Sequence, residues 1–194
     1  MKKIVFATNN LNKLRELRSA VKDFDIIGLK DLNIIEEIPE TGNSLKSNAL
    51  QKAKYIYEKT GLDCFADDTG LEIEALDGRP GVYSARYAGP DCDSEENMNK
   101  VLNELSSLKN RTAAFSTVIA LIIDGKEYFF EGEVKGKILK VKRGTGGFGY
   151  DPIFRPFGYD QSFAEMSLEL KNKISHRGLA TRKLINFLKQ FNQP

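Results

Sequence analysis

AAFSTVIALII, DG and KEYFFEGEV follow one another along residues 113–134, and this stretch decides the fold class. The two longer runs are rich in β-branched and aromatic residues, which favour strands. Asp124-Gly125 between them is a typical two-residue hairpin turn. The stretch therefore predicts a β-hairpin with the strands Ala113–Ile123 and Lys126–Val134.

Helix and strand patterns occur on both sides of this hairpin. Short apolar runs predict strands at Lys3–Ala7, Asp25–Leu29, Cys64–Ala66 and Leu71–Leu76. Apolar residues at helical spacing predict helices that include Leu14–Val21, run from Ser44 to Gly61, cover Ser94–Leu108 and extend from about Gly178 to Phe191. Residues 144–160 predict a loop rich in glycine and aromatic residues. We expect one α/β domain over residues 1–194, with two lobes around a cleft and no separable linker.

The composition excludes several classes of protein. The chain has 194 residues, with 29 Lys and Arg, 27 Asp and Glu, one His and two Cys. The net charge of +2 lacks the basic excess that nucleic-acid-binding proteins tend to show. A zinc site built on several His is impossible, and any Ser-His-Asp or Cys-His triad would have to use His176. Cys64 and Cys92 lack C-x-x-C spacing, which favours reduced thiols.

No segment of the sequence is typical of membrane insertion or secretion. The longest apolar run, Val118–Ile123, is much shorter than the roughly 20 residues that span a bilayer. The basic start is followed by too few apolar residues for a secretory signal, which needs about 7–15. We therefore expect a soluble, cytoplasmic protein with no membrane partner and no nucleic-acid polymer as partner.

Gly144–Gly149, with the sequence GTGGFG, matches the G-x-G-x-x-G pattern of nucleotide-binding loops. A dinucleotide-binding loop opens a helix, but Pro152 and Pro156 follow too closely for a helix to form here. A protein-kinase loop is also excluded, because the other kinase motifs are missing. Two interpretations remain: a loop whose backbone approaches a ligand, and a tight loop without one.

Asp67-Asp68-Thr69-Gly70 follows a predicted strand and contains two adjacent carboxylates. Aspartic proteases also use D-T-G, but they need two copies, and this chain has one. Adjacent side chains of an extended segment point in opposite directions, so only one of the pair should reach a ligand. Carboxylate oxygens suit Mg²⁺, which predicts a metal site. The alternative is a solvated loop in which the aspartates cap a helix or a turn.

Two further segments place polar donors next to predicted helices. Thr8–Lys13 joins the first strand to a helix, where free backbone N–H groups favour an anion. An Asx-rich helix cap would use the same residues. Ser175–Gly178 precedes the last helix. This segment is either a cap followed by surface residues or a set of donors directed at a base or a phosphate.

Together these segments resemble one known family, the non-canonical purine nucleoside triphosphate pyrophosphatases, or inosine/xanthosine triphosphatases. Seven segments match the family in order across nearly the whole chain: Phe6–Asn10 with Lys13, Pro39–Gly42, Asn48-Ala49 with Lys52-Ala53, Phe65–Leu71, Gly81–Tyr87, Gly144–Phe154 and Ile174–Gly178. Two positions depart from its usual pattern, since Asn9 replaces a Gly and Ser47 replaces a Glu.

The resemblance implies an ITPase-like α/β fold with a long central mixed β-sheet flanked by helices, two lobes around an active-site cleft, and a homodimer. It also implies Mg²⁺-dependent hydrolysis of inosine, deoxyinosine and xanthosine triphosphates (ITP, dITP and XTP) to the monophosphate and pyrophosphate. Asp68 would be the proton acceptor and, with Glu40, a metal ligand. The residues that would bind the phosphates are Thr8, Asn9, Asn10, Leu11, Asn12, Lys13, Lys52 and Lys171. Phe148 would stack on the purine, Asp151 would accept from its ring N–H, and His176 and Arg177 would bind its 6-oxo edge. Thr69, Gly149 and Tyr150 would be further substrate contacts.

The residue types suit this chemistry. Hydrolysis between the α- and β-phosphates needs an in-line water, a base that deprotonates it and cations that offset the phosphate charge. Donors on His176 and Arg177 would satisfy a 6-oxo group and would leave the 6-amino group of adenine without an acceptor. Two alternatives stay open: a nucleotide pyrophosphatase of another base specificity, and a nucleotide-binding module that does not hydrolyse its ligand.

Overall fold

The computed structural model describes residues 3–21, 24–36 and 38–191, and the strands in these ranges form one seven-stranded sheet. The strands are β1 (Lys3–Phe6), β2 (Asp25–Gly28), β3 (Cys64–Ile73), β4 (Pro80–Gly81), β5 (Thr112–Ile123), β6 (Lys126–Ile138) and β7 (Phe154–Pro156). Their order is β2-β1-β3-β5-β6-β7, and β4 pairs with β3. β1 is parallel to β2 and β3, whereas the β3/β4 and β6/β7 pairs are antiparallel. The sheet is therefore mixed, as predicted.

Five helices accompany the sheet in the described part of the chain. They are α1 (Leu11–Ala20), α2 (Leu45–Thr60), α3 (Ser94–Glu104), α4 (Leu168–Ile174) and α5 (His176–Phe191). Helix α2 begins and ends where the sequence predicts, because the Ser44 side chain caps its first turn and Gly61 adopts a left-handed conformation after its last. None of the described helices combines the length and the apolar character needed to cross a bilayer.

The chain divides into two compact units, and β3, β5 and β6 each contribute residues to both. Unit 1 takes the described residues within 1–68, 117–132 and 177–194, including α1, α2 and α5. Side chains of successive residues of β1 face opposite sides of the sheet, so this strand contributes residues to two apolar clusters. Ile4 and Phe6 pack with Leu17 of α1 and Leu184 of α5, whereas Val5 packs with the apolar face of α2.

Unit 2 consists of residues 69–116 and 133–176, including α3, α4, β4 and β7. Its single apolar cluster is built around aromatic rings. The Phe115 ring meets the Phe154 ring edge to face, with centroids 4.7 Å apart, and Phe163 lies against both. Met98 and Val101 of α3 complete this core.

The β5–β6 hairpin is confirmed. Asp124 has a φ of 49° and Gly125 a φ of 73°. Positive φ at both central residues is the geometry that a tight two-residue hairpin turn requires. The Asp124 N–H also donates to Asp63 Oδ1 at 3.1 Å, which ties the turn to the start of β3.

Several predicted boundaries are wrong. The sequence predicts a break at Asp67–Gly70, but β3 continues through it, because both carboxylates have partners inside the protein. Helix α3 ends at Glu104 and not at Leu108, since apolar spacing continues into the turn that follows the helix. The segment 144–160 is not all loop, because it contains a 3-10 turn and the edge strand β7. Neither β7 nor α4 was predicted.

Candidate functional site

Asp67 and Asp68 are consecutive residues of β3, and both belong to unit 1. Asp67 contacts cationic side chains of α1 and α5, whereas Asp68 contacts side chains of α2. This separation follows from strand alternation, as predicted. The alternative of a solvated loop is wrong, because only 2% of Asp67 and 7% of Asp68 is exposed.

The Asp67 network consists of Asp67, Lys13, Glu16 and Arg177. Lys13 Nζ lies 2.9 Å from Asp67 Oδ1. Arg177 donates from Nε to Asp67 Oδ2 at 3.0 Å and from Nη1 to Glu16 Oε2 at 2.7 Å. Helix α1 presents Lys13 and Glu16 three residues apart, and therefore on one face, while Arg177 comes from the first turn of α5. The network thus joins a strand and two helices inside unit 1.

Ion pairing, more than burial, sets the charges in this network. Burial alone would raise the pKa of Asp67, but Lys13 and Arg177 hold that pKa well below its usual range. Burial would lower the pKa of Arg177, but Asp67 and Glu16 raise it above its usual value. Burial does lower the pKa of Lys13, and Asp67 offsets only part of this effect. Asp67 and Arg177 therefore stay charged, and the pair suits a structural role better than proton transfer.

The Asp68 cluster consists of Asp68, Asn48, Lys52 and Glu40. Asn48 donates from Nδ2 to Asp68 Oδ2 at 3.1 Å. Lys52 Nζ lies 3.7 Å from Asp68 Oδ1 and directly contacts Glu40 Oε1. Asn48, Lys52 and Asp68 are buried, and Glu40 is half-buried. One lysine is therefore shared by two carboxylates.

In the Asp68 cluster the pKa of the aspartate is shifted in the opposite direction from the pKa of Asp67 in its network. Burial is the largest influence on Asp68 and raises its pKa, Lys52 and Lys13 lower it, and Glu40 raises it further, so the net shift is upward. Burial would lower the pKa of Lys52, but Asp68 and Glu40 raise it above its usual value. Asp68 is thus a stronger base than an exposed aspartate, beside an ammonium that stays protonated.

Helix α2 positions this cluster. Asn48 and Lys52 lie four residues apart and share one face of the helix. The segment that carries Glu40 is joined to the same face, because the Gly42 N–H donates to Asn48 Oδ1 at 2.8 Å. A Cβ at Gly42 would lie 2.7 Å from that oxygen, so only glycine allows this approach.

The Thr8–Lys13 loop joins β1 to α1 and forms a helix cap. Asn10 Oδ1 accepts from the N–H groups of Asn12 at 3.0 Å and Lys13 at 3.1 Å. Thr8 Oγ1 accepts from the Asn10 N–H at 3.1 Å. The Asx-type cap that was one interpretation of this loop is therefore present, with residues 9–11 exposed at its tip. Anion binding at the same loop stays a prediction.

The two departures from the family pattern are accommodated locally. Asn9 donates from Nδ2 to Glu36 O at 3.1 Å, and its φ is not positive, so the backbone here does not need a glycine. Ser47 accepts from the Ser44 N–H at 3.1 Å and completes the capping box of α2.

The donors of the Asp68 cluster fit a magnesium ion. Mg²⁺ is commonly held by one or two carboxylates together with substrate phosphates and water. Asp68 and Glu40 are close enough to share one cationic group, the Lys52 ammonium. Over residues 3–21, 24–36 and 38–191, no group of three or more His, Cys, Asp or Glu side chains is arranged to hold a metal. The protein therefore offers two carboxylates that share one cation and no third acidic ligand in the described residues, which suits an ion whose coordination substrate phosphates complete.

In unit 2, the Asp151 carboxylate accepts hydrogen bonds from two other predicted site residues. Asp151 Oδ2 accepts from the Phe148 N–H at 2.7 Å and from Lys171 Nζ at 2.6 Å. Lys171 Nζ also lies 5.0 Å from the centroid of the Phe148 ring, within the range of a cation–π contact. Lys171, which the resemblance places among the phosphate-binding residues, thus contacts two candidates for base binding.

The glycine-rich segment packs tightly against neighbouring backbone and side chains. Gly147 has a φ of 68°, and a Cβ there would lie 2.0 Å from Asp151 Oδ2. The Gly146 N–H donates to Ala164 O at 3.0 Å. A 3-10 turn, Asp151–Ile153, follows and leads into β7. No helix opens from this segment, so the exclusion of a dinucleotide-binding loop is confirmed.

Three further predicted site residues also belong to unit 2. Tyr150 is buried, and its hydroxyl donates to Ser84 O at 2.8 Å. Gly149 is half-buried with a φ of 60°. Thr69 is half-buried and follows Asp68 along β3.

His176 and Arg177 begin α5 but belong to different units. The His176 ring stacks on Phe115, with ring centroids 4.5 Å apart, whereas Arg177 joins the Asp67 network. Only 3% of His176 and 5% of Arg177 is exposed. The alternative of a surface position for both is wrong, because one finds an aromatic partner and the other finds carboxylates within the protein.

Two residues of the site, Glu16 and Asn48, were not predicted to have a role. The burial of Glu16 depends on Arg177, which is 161 residues away in sequence, so no local pattern reveals it. Asn48 lies one helical turn before Lys52 on the apolar face of α2. A polar residue at that spacing was the available signal.

The comparisons with known proteins agree over nearly the whole chain. The model of the Ham1 family matches residues 4–187. A dITP/XTP pyrophosphatase of Flavobacterium johnsoniae is 53% identical over 187 residues, which cover 96% of this chain and 97% of the relative. The protein of that name from Flavobacterium psychrophilum is 54% identical over 187 residues, covering 96% and 98%. The solved structure of the Staphylococcus aureus Ham1 protein has a TM-score of 0.88 and 39% identity, and the match covers 98% of this chain and 100% of that one.

Proposed function

Because this chain belongs to the Ham1 family, we propose that it is a pyrophosphatase that hydrolyses non-canonical purine nucleoside triphosphates. Its substrates are ITP, dITP and XTP, and its products are the monophosphate and pyrophosphate. Relatives named dITP/XTP pyrophosphatase support this assignment, since they are more than half identical over nearly their whole length. The observation that carries it is the Asp68 cluster, in which a buried carboxylate of raised pKa lies beside a lysine shared with a second carboxylate.

Asp68 is the proposed general base. Attack on the phosphate chain requires a water that loses its proton, and a carboxylate with a raised pKa accepts that proton more readily than an exposed one. A positioned base typically contributes about 10²–10⁴-fold to the rate. The proposed phosphate contacts in the same unit are the Thr8–Lys13 loop and Lys52. Their cationic and N–H groups would offset the phosphate charge.

Mg²⁺ is the proposed cofactor, with Asp68 and Glu40 as its protein ligands. When bound, the ion would withdraw negative charge from the phosphates and so ease the attack of water. Lys52 contacts both proposed ligands and remains protonated, so it keeps the two carboxylates from repelling each other in the free protein.

The residues proposed to recognise the base are mostly in unit 2. The half-buried Phe148 offers a ring for stacking, and Asp151 is proposed to accept from a purine N–H. We assign Lys171 to this group because it contacts both of these residues. Donors on His176 and Arg177 are proposed to bind the 6-oxo group. Thr69, Gly149 and Tyr150 are proposed as further substrate contacts.

Base selection follows from the pairing of donors with acceptors. A site built to donate to a 6-oxo group leaves its donors unsatisfied when adenine presents an amino group instead. Sites of this kind discriminate by about 10⁴-fold or more. We therefore expect ITP and XTP to be hydrolysed far faster than ATP.

The direct test is pyrophosphate release from ITP, dITP, XTP, GTP and ATP, with Mg²⁺ and with the metal removed by chelation. We expect hydrolysis of the first three, a much lower kcat/KM for ATP, and loss of turnover without the metal. Faster hydrolysis of a pyrimidine or canonical purine triphosphate would favour a pyrophosphatase of another base specificity. Tight nucleotide binding without pyrophosphate release would favour a binding module.

We also propose that the protein is a cytoplasmic homodimer. Light scattering coupled to size-exclusion chromatography measures the mass in solution directly. A mass close to twice the 21.8 kDa of the chain is expected, and a mass equal to that of one chain would contradict the dimer.

A further inference from the structure

Asn48 is a fully buried amide that links Asp68 to the segment that carries Glu40, the second carboxylate of the Asp68 cluster. Its Nδ2 donates to Asp68 Oδ2 at 3.1 Å, and its Oδ1 accepts from the Gly42 N–H at 2.8 Å. Gly42 lies two residues after Glu40, the second carboxylate. One side chain therefore fixes both the base and the segment that carries the other proposed metal ligand.

We propose that Asn48 is a positioning residue for the hydrolysis, acting through Asp68 and the Glu40 segment without touching the substrate. This inference rests on the proposed function. It adds a residue that keeps the proposed base and the second proposed metal ligand in fixed positions relative to each other. It also explains why a polar side chain is buried on α2 next to Ala49 and one helical turn before Lys52.

The chemistry of its two contacts requires an amide at position 48. An ionised carboxylate such as Asp68 can only accept hydrogen bonds, and the Gly42 N–H can only donate one. A side chain that bridges them must donate at one end and accept at the other. Asn does so with a short, stiff side chain, whereas an aspartate would repel Asp68 and an alanine would leave both groups without this partner.

Close packing fixes the same arrangement. A Cβ at Gly42 would lie 2.2 Å from Ser47 Oγ and 2.7 Å from Asn48 Oδ1. The turn that follows Glu40 therefore packs directly against the first turn of α2. Displacing this turn would move Glu40 relative to Asp68, and the two would no longer be held to bind one cation.

The effect of removing such a link is expected to be large but not complete. Partners that orient metal ligands typically contribute about 10–100-fold to metal affinity or activity. Asn48→Ala should therefore lower kcat for ITP by about 10–100-fold. KM should change much less, because the proposed phosphate and base contacts remain.

The matched control is Asn97→Ala. Asn97 is a buried amide of α3 that makes an equivalent pair of contacts, accepting from the Ala88 N–H at 2.6 Å and donating to Ala85 O at 2.8 Å. It belongs to unit 2, whereas the four members of the Asp68 cluster belong to unit 1. The loss of a buried amide should destabilise both variants, but only Asn48→Ala should lower kcat.

Binding of Mn²⁺ provides a readout independent of turnover. Calorimetric titration of Mn²⁺ into the protein, alone and with a non-hydrolysable α,β-imido analogue of ITP, should give about 10–100-fold weaker metal binding for Asn48→Ala. Asn97→Ala should match the wild type. Gly42→Ala is a second variant for the same link, at a half-buried loop position where unfolding is not expected, and it should lower kcat and Mn²⁺ affinity in the same way.

The outcomes separate the two proposals. A wild-type protein that releases no pyrophosphate from ITP, dITP or XTP overturns the proposed function and the role of Asn48 with it. An active wild type, together with folded Asn48→Ala and Gly42→Ala variants that keep normal kcat and Mn²⁺ affinity, overturns the role of Asn48 alone. Equal loss of kcat in Asn48→Ala and Asn97→Ala would also overturn it, since it would show a general effect of destabilisation.

Discussion

The Asp67 network and the Asp68 cluster use the same residue type at consecutive positions of β3, yet the pKa values of the two carboxylates are shifted in opposite directions. In the network, two cations face Asp67, and its pKa lies below the usual range. In the cluster, one lysine is shared by two carboxylates, and the pKa of Asp68 is raised. Depth in the protein does not explain this difference, because both side chains are buried.

The balance of charge explains it. The two acids of the network are matched by Lys13 and Arg177, whereas the two acids of the cluster share Lys52. Full pairing favours permanent charge and a fixed structure. An excess of negative charge favours a carboxylate that can accept a proton or bind a divalent cation. One strand therefore combines a structural aspartate with a candidate for the reactive one.

The largest predicted effect is that of Asp68→Asn on turnover. An amide of the same shape cannot accept a proton from water, so kcat for ITP should fall by about 10²–10⁴-fold. Pyrophosphate release measures the loss, and circular dichroism should show a folded protein. Near-normal turnover by this variant would remove Asp68 from the proposed role.

Asp67→Asn should instead act mainly on stability. The substitution leaves the buried charges of Arg177 and Lys13 without their shared carboxylate, and breaking a buried ion pair in this way costs about 3–5 kcal/mol. Urea denaturation of both variants gives the comparison directly. The reverse pattern, a stable Asp67→Asn and an unstable Asp68→Asn, would contradict the assignment of the two roles.

The stabilisation from Asp67 should also depend on pH. The folded pKa of Asp67 is lowered, so its contribution is complete above the unfolded pKa of about 4 and is lost as the pH falls toward the folded value. The gap in stability between wild type and Asp67→Asn should therefore narrow in acid. Glu127→Gln, which breaks an exposed pair with Lys54, serves as the control and should change stability little at any pH.

Much of the fold could be predicted because its signals are local. Asp124-Gly125 determines a turn through its own backbone preferences, and Ser44 and Gly61 mark the ends of α2 in the same way. The acidic pair was also predicted to divide between two sides of the strand, which needs only the geometry of an extended chain.

The remaining features depend on partners distant in sequence. Asp67–Gly70 resembles a turn until Arg177, Lys13 and Asn48 supply charges and hydrogen bonds that let it continue as a buried strand. Helix α5 likewise begins at His176 because the residues there find partners inside the protein. The sequence motifs and the family resemblance named the residues of the candidate site, but not which of them pair with each other.

His176→Ala extends the comparison to the neighbour of Arg177. His176 packs on Phe115, and losing the donor that its ring is proposed to offer should lower the preference for a base with a 6-oxo group. Losing one buried donor is worth about 1–3 kcal/mol, or about 5–150-fold in the ratio of kcat/KM for ITP over ATP. An unchanged ratio would exclude His176 from recognition of the 6-oxo group.

The smallest predicted effect concerns the rate at which a thiol reagent labels Cys64. This rate should rise in one aspartate variant and fall in the other. Cys64 lies three residues before Asp67 on β3, and burial raises the pKa of its thiol to about 12, so at pH 8 it should react with a thiol reagent only when the strand opens. The exposed Cys92 should react at once and so serves as the internal reference. Asp67→Asn should speed the slow reaction of Cys64. The raised pKa of Asp68 means that its negative charge destabilises the folded protein at pH 8. Asp68→Asn removes this charge, so the variant should slightly slow the reaction of Cys64. Faster labelling of Cys64 in both variants would mean that the two carboxylates stabilise the strand alike, which would contradict the contrast drawn from their pKa shifts.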